Sequence, residues 1–411
     1  MRMIRPGKEV RQLAQVAHTA DDEALLRLVG LLDELDVRGH LDSVLAPARN
    51  RLRWLRPARR LRFARLLFLL LDGAVVDAAE WRRGTPTLPR TVLLPLVGAL
   101  LGALGEPGKA FAAGCSRHKS DDLEAIAKLG GTIWPQAAAL LPATPPAGWS
   151  ESGLGAADYT EIVALCRAVW QAGPAIWPAI AAAEVGPPED LVRAALAAVV
   201  PGGPAAVAAT LSTLLLRASA PGAVAEIAAS VAPAGRAVAV QALQEVLEQP
   251  PPPFAELEPE IAAEAAIDLA DRLDELAGCV LIEGERQGLL TTSRHAAATA
   301  CRATFAAATR DRLLLNATRM SGATAISDAD VAALESDARH LRILEMAGRR
   351  LGGDGAYDQV VRTVTIQLTS LLARASPDGT GLRPIDLARC IEIFAGPEAG
   401  AQALAAARAA A

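Results

Sequence analysis

The sequence predicts an all-α, multi-domain helical protein, and three observations predict it. Ala and Leu dominate a chain that is only 3% aromatic, with few β-branched runs of the kind strands favour. Apolar residues recur at helical spacing. Pro and Gly fall between the periodic segments and punctuate them. With 411 residues, 52% of them hydrophobic, the chain is long enough for two or three cores built from Ala, Leu, Val and Ile.

The N-terminal region, residues 1–148, opens with an amphipathic helix over Glu9–Ala17. Thr19 reads as an N-cap, with Asp22 completing a capping-box variant. The helix after it, Asp21–Leu35, carries leucines at 25, 28, 32 and 35 on one side. A third helix is expected over His40–Leu55, stopped by Pro57, whose ring excludes helical geometry at the preceding residue. A fourth is expected over Ala58–Leu71. Arg59, Arg60, Arg62 and Arg65 would spread around its first half, and Leu66–Leu71, apolar all round, would bury its second. A loop through Trp81–Gly84 and the Pro-rich segment after it leads to an apolar helix over Thr91–Leu104, closed by Gly105 and Pro107. Ser120 is expected to cap a helix whose first turn holds Asp121, Asp122 and Glu124. The Pro-, Gly- and Ser-rich stretch Pro142–Gly155 is read as a domain boundary.

Residues 156–249 read as an array of short Ala-rich helices. The cuts fall at Gly173-Pro174, Gly186–Pro188, Pro201–Pro204, Pro221-Gly222 and Pro233–Gly235. Paired helices give units of roughly 30 residues, the rhythm of helical-hairpin solenoids. No side-chain signature repeats, so the array is either irregular or solenoid-like. Pro250–Pro253 reads as a stiff polyproline II linker, residues 250–253. Residues 254–411 read as an antiparallel helical bundle. Its stripes are Leu269, Leu273, Leu276 and Val280; Cys301, Phe305, Ala308, Arg312 and Leu315, with Arg312 an interruption; Val331, Leu334, Ala338 and Leu341; and Val361, Val364, Leu368 and Leu371. Ser327 with Asp330 marks one helix start, Pro384 another, and Gly396-Pro397 a helix end.

The first 20 residues lack the apolar core of a secretory signal. The apolar runs Leu66–Leu71 and Val92–Leu104 fall short of the ~20 residues that cross a bilayer. Five scattered cysteines fit free buried thiols. A cytoplasmic location is the expectation.

Charge supplies the strongest functional signal. Residues 49–90 hold eleven arginines against Asp72, Asp77 and Glu80, a formal +8 in a chain of −5. Arginine forks suit carboxylate and phosphate, and Trp54, Phe63 and Trp81 could stack or anchor. Arg51, Arg53, Trp54, Arg56, Arg59, Arg60, Arg62 and Arg65 are therefore the candidate residues for an anionic partner. The competing reading is compositional. Only four lysines accompany 37 arginines, as a GC-rich coding sequence would give, and the acidic remainder of the chain could neutralise the cluster internally. The acidic helix carrying Asp268, Asp271, Asp274 and Glu275 is the natural internal or intersubunit partner.

Other motifs carry less. Cys115 and His118 make one C-x-x-H pair without a second, so no metal site is read there. Gly352–Gly355 lacks the strand and lysine of a phosphate loop and reads as an interhelical turn. Arg294, His295, Arg302 and Arg310 on one helix, and Arg339, His340 and Arg342 on another, could gather a basic pocket or a salt-bridged surface. No cofactor motif and no catalytic constellation is read. The expected function is a non-enzymatic helical scaffold or adaptor, using the Arg-rich stretch 49–65 as an electrostatic contact for an acidic protein partner. Homo-oligomerisation is a second way to use that contact. A peripheral membrane-surface role and an enzyme assembled from distant residues are the alternatives. Nucleic acid ranks last, because no recognition motif for it is present.

Overall fold

The structure, a computed structural model, describes residues 8–35, 44–45, 47–55, 57–231, 235–323, 325–375 and 381–410. The described chain is all-α apart from one two-residue parallel pair, β1 (Val75–Val76) with β2 (Leu88–Pro89).

The first helices are α1 (Lys8–Thr19), α2 (Asp22–Glu34) and the short α3 (Arg49–Leu55). Asp21, rather than Thr19, caps α2: its carboxylate accepts the Ala24 N–H at 2.7 Å. Thr19 ends α1, and its hydroxyl donates back to the Gln15 carbonyl. Residues 40–43 and 46 of the helix expected over His40–Leu55 lie outside the described residues, and among the described ones α-helix begins only at Arg49. Ala17, Leu25, Val29, Leu32, Val44, Leu45 and Ala48 form a small core of their own. Leu52 and Leu55 of α3 pack on that small core, while Trp54 packs on the main one, so α3 joins the two.

The expected helix over Ala58–Leu71 is not one element. Residues 58–62 are extended, and helix begins only at α4 (Phe63–Phe68), tightening into a 3₁₀ turn over Leu69–Ala74. The cause is competition for the backbone. The Leu61 N–H donates to the His118 carbonyl (2.8 Å), Ser120 donates to the Arg59 carbonyl (2.7 Å), and the Arg60 N–H donates to Asp33 (3.0 Å). Ser120 is thus spent on Arg59, whose N–H its hydroxyl also accepts, and Asp122 is the residue that caps the next helix. The burial of Leu66–Leu71 is as expected. Two buried indoles occupy carbonyls of this tight segment: Trp134 donates to Leu66 O (2.9 Å) and Trp170 to Leu67 O (2.7 Å). A short helix leaves such carbonyls without partners of its own.

Helix α5 (Leu93–Cys115) is broken at Gly105 (φ 60°, ψ −145°), where the sequence placed its end, and then continues. After α6 (Leu123–Leu140) come α7 (Ala156–Gln171), α8 (Gly173–Ala182), α9 (Glu189–Val199), α10 (Pro204–Arg217), α11 (Pro221–Val231) and α12 (Gly235–Leu247). These breaks match the proline and glycine cuts. The array is of the irregular kind. In a solenoid each unit touches only its neighbours, whereas α10 packs on α7, α8, α9, α11, α12 and the 69–74 turn. Gly73 permits that approach, because a Cβ there would lie 2.4 Å from the Ser212 carbonyl carbon.

The main core runs without interruption from Leu61 to Ala403. At the end of the four-proline run, Phe254 N–H donates to Pro252 O at 2.8 Å across Pro253 (φ −76°, ψ 62°), an inverse γ-turn that seats Phe254 in the core. The remaining helices are α13 (Pro259–Gly278), α14 (Glu285–Ala308), α15 (Leu315–Ser321), α16 (Asp328–Leu351), α17 (Asp354–Leu372), α18 (Pro384–Ala395) and α19 (Pro397–Ala410). Around α16 pack α13, α14, α17 and α18. Two expected stripe positions fail. Val280 lies beyond the end of α13 and is exposed. Leu315 is 62% exposed because Thr309–Leu314 is a π-helical turn. Its wider turn carries the buried stripe through Thr309, Leu313, Ala317 and Met320 instead.

Candidate anionic-partner surface

The arginine-rich stretch divides into residues that hold the chain together and residues that face outward. Arg51 is 3% exposed and belongs to the first group. Its guanidinium meets the Asp22 carboxylate in a buried ion pair and donates to Ala20 O at 2.7 Å. The second oxygen of Asp22 accepts the Glu258 N–H (2.8 Å), just before α13, and the Glu258 side chain pairs with Arg312. One buried carboxylate therefore ties α2 to α3 and to the start of α13.

Arg59, Arg60 and Arg62 gather on the end of α2. The Arg59 guanidinium reaches one Asp33 oxygen (3.4 Å), and the Arg60 backbone N–H takes the other. Arg62 donates to Leu35 O at 2.7 Å. Arg65 makes a two-pronged bond to Asp72 (2.8 and 3.1 Å), which Arg217 of α10 joins at 3.3 Å. Burial pushes the Asp72 carboxyl up, but Arg65 and Arg217 outweigh it and hold it below the usual carboxylate range. Arg49 and Arg90 both point at Asp77, at 3.3 and 3.6 Å. Trp54 is half-buried, and its ring walls a small cleft with Glu264 and Asp268 of α13. Arg56 and the side chain of Arg53 lie outside the described residues.

The carboxylates that take these arginines are thus Asp22, Asp33, Asp72 and Asp77. The acidic face of α13 serves other partners. Asp274 pairs with Arg294 (2.9 Å) and Arg350 (2.6 Å), and Asp271 pairs with Arg350 (2.7 Å). Glu275 accepts the Gly222 and Ala223 N–H groups at the start of α11. The second basic cluster is salt-bridged too: Arg339 pairs with Glu335, and Arg342 pairs with buried Glu345, as does Arg349.

Arg60 is different. Its side chain is exposed and has no hydrogen bond or ion pair among the described residues. It lies opposite Lys119 in an isolated antiparallel bridge. The two bonds that make the bridge flank the pair (Leu61 to His118, Ser120 to Arg59). Arg60 and Lys119 are therefore a non-hydrogen-bonded pair, the kind with Cα atoms about 4.5 Å apart and side chains closest. Lys119 and nearby Arg117 are also exposed and without a partner among the described residues, while exposed Asp121 follows on the same turn. Sequence reasoning found Arg60 but missed Arg117 and Lys119. They lie nearly 60 positions away, and only the bridge brings them together.

Cys115 and His118 do not converge. The Cys115 thiol is buried, which pushes its pKa up to about 11, and His118 Nδ1 lies 3.1 Å from Asp122. The backbone N–H of Ala125 and then His118 hold the Asp122 carboxyl below its ordinary range. Among the described residues no group of three or more His, Cys, Asp or Glu side chains could hold a metal ion. Gly352 and Gly353 sit at φ 126° and 94° in the α16–α17 turn, the interhelical role the sequence suggested.

A surface groove of about 590 Å³ lies between the end of α6, α7, the start of α8 and the turn after α9. Its only ionisable lining residue is Arg167, whose Nη2 donates to Leu141 O (2.6 Å). Comparison with protein-family models, with curated proteins and with solved structures found no match to this chain.

Proposed function

We propose that the chain is a non-enzymatic helical scaffold that binds an acidic protein surface through the edge formed by Arg60, Arg117 and Lys119. One observation carries this reading. Arg60 and Lys119 are placed directly opposite one another across a bridge, where like charges repel, and no carboxylate among the described residues pairs with either side chain. Arg51, Arg59, Arg62 and Arg65 are each given an internal acceptor, so among the described residues this edge is an exception within its own surroundings. Carboxylates on a partner would remove the repulsion and supply charge-assisted hydrogen bonds. The arginines at 51, 59, 62 and 65 then act by holding the edge in place.

The test uses the scarcity of lysine. Lys119 is one of four in the chain, so a carbodiimide, which joins an amine to a carboxylate without a spacer, reports on this edge. Cross-linking in native lysate followed by peptide mapping is expected to join Lys119 to Asp or Glu of a partner. The joined species should be lost in the Arg60→Gln/Arg117→Gln variant, which keeps Lys119 and every internal pair. Cross-links that persist unchanged in that variant would remove the edge from the function.

Contact with a membrane surface is a second reading, favoured by α5. By length and composition the 26-residue stretch Arg90–Cys115, broken at Gly105, is apolar enough to cross a bilayer, and only 28% of its most apolar window is buried. Leu94 on it is 76% exposed. Vesicle flotation with anionic lipid decides it: co-flotation that Leu94→Gln abolishes supports this reading, and no co-flotation at low salt ends it.

A further inference from the structure

We propose that the groove bordered by α6, α7, α8 and the turn after α9 binds a small carboxylic acid with an apolar body. The inference shares no residue with the basic edge. Three observations lead to it. The depression is open to solvent and, at about 590 Å³, has room for a small molecule lying along its floor. The lining is apolar and made of small residues, among them Ala138, Ala168, Ala172, Ala175 and Ala198. Alanine keeps such a surface concave where a larger side chain would fill it.

The polar groups are two, Arg167 and Gln171. They stand four residues apart on α7, and that spacing puts both on one face of a helix. Gln171 is exposed and has no side-chain hydrogen bond among the described residues. Arg167 ties off the end of α6 through Nη2 alone, on Leu141 O and Pro142 O. No carboxylate among the described residues pairs with it. Its Nε and Nη1 donors and its charge are left for a ligand.

The start of α8, at Pro174 and Ala175, also borders the groove. Its first N–H groups, at Ala175 and Ile176, already donate to Ala172 O, so the preference for an anion rests on Arg167 and Gln171. A guanidinium, an amide donor and an apolar floor together describe a carboxylate attached to a hydrocarbon. A protein partner is the poorer fit, since a stable protein interface needs about 800 Å² on each side. Catalysis is not implied, because a guanidinium neither gives nor takes a proton at ordinary pH.

The probe is decanoate, below its micelle-forming concentration, titrated calorimetrically into the full chain beside decanol and decyltrimethylammonium. Decanoate is expected to bind about tenfold or more tightly than decanol, and the cation not to bind. Ala175→Phe, at an exposed helical position that tolerates the change, should weaken decanoate about tenfold by filling the groove. Arg167→Gln should bring decanoate down to the level of decanol. Because decanol tests the charge without altering the protein, a poorly folded Arg167→Gln leaves the test intact. Equal binding of decanoate and decanol, absence of decanoate binding, or unchanged binding in Ala175→Phe would each overturn the proposal.

Discussion

The ion pair between Arg51 and Asp22 is the contact whose loss should be most legible. The two side chains are 4% and 6% exposed, so water cannot replace either partner. Asp22→Asn is the cleanest perturbation, because it keeps the shape and one oxygen for the Glu258 N–H. It removes a charge-assisted hydrogen bond, about 1.5–3 kcal/mol. It also leaves a buried guanidinium with only the Ala20 and His18 carbonyls. Breaking a buried pair typically costs about 3–5 kcal/mol. The retained carbonyls and the retained Glu258 bond place this variant near the low end, about 3 kcal/mol.

The loss should be local. Asp22 and Arg51 flank the small core of Ala17, Leu25, Val29 and Leu32, which is separate from the main core. Hydrogen exchange in α1–α3 is expected to accelerate roughly a hundredfold, with amides of α10 and α16 unchanged. A paired replacement, Asp22→Leu with Arg51→Met, buries neither charge and should recover most of the loss, ending within about 1.5 kcal/mol of wild type. A single-variant cost under about 1 kcal/mol, or acceleration spread evenly over α10 and α16, would refute the claim that this pair fastens the N-terminal unit to the rest.

Two further outcomes follow from contacts already described. Asp72 is held below the usual carboxylate range in the folded state, so its contribution is present above the unfolded value of about 3.9 and is lost as pH falls through the lower folded value. In urea unfolding, Asp72→Asn should therefore sit well below wild type at neutral pH and converge with it in strong acid; a constant gap at all pH values would contradict the Arg65 and Arg217 pairing. Gly73→Ala places a Cβ 2.4 Å from the Ser212 carbonyl group and 2.5 Å from Thr213 N, backbone that cannot turn aside as a side chain could. A loss of roughly 1–3 kcal/mol is expected by thermal or urea unfolding, and a neutral result would mean that α10 does not approach the 69–74 turn this closely.

Helix breaks and helix class were legible because their causes are local. Clustered Pro and Gly disfavour continuing a helix across them, and the cuts between α7 and α12 needed nothing else, while the single prolines Pro135 and Pro178 stay inside α6 and α8. The stripe through α14 was legible until Phe305, since a period of 3.6 carries forward only while every turn has the same width. The π turn at Thr309–Leu314 breaks that rule, and Leu315 ends up outside. No residue in the turn announces it. Arg312 in the stripe was the one visible sign, a charge at a position the period assigned to the core.

The arginine stretch was legible as charge and illegible as geometry, and the reason is physical. A linear count adds charges along the chain, whereas folding sorts them by what lies opposite. Asp22 and Asp33 precede the stretch, Asp72 and Asp77 lie within it, and a period-based reading sees none of them as partners. The helix expected over Ala58–Leu71 failed for the same cause, since its N–H groups are taken by Asp33 and by the 118–120 strand-like segment. Once residues 58–62 are extended, alternation puts Leu61 inside and Arg60 outside. The internal pairing that accounts for Arg51, Arg59 and Arg65 does not reach Arg60, and neutralising it together with Arg117 should change partner binding while leaving stability within about 0.5 kcal/mol of wild type.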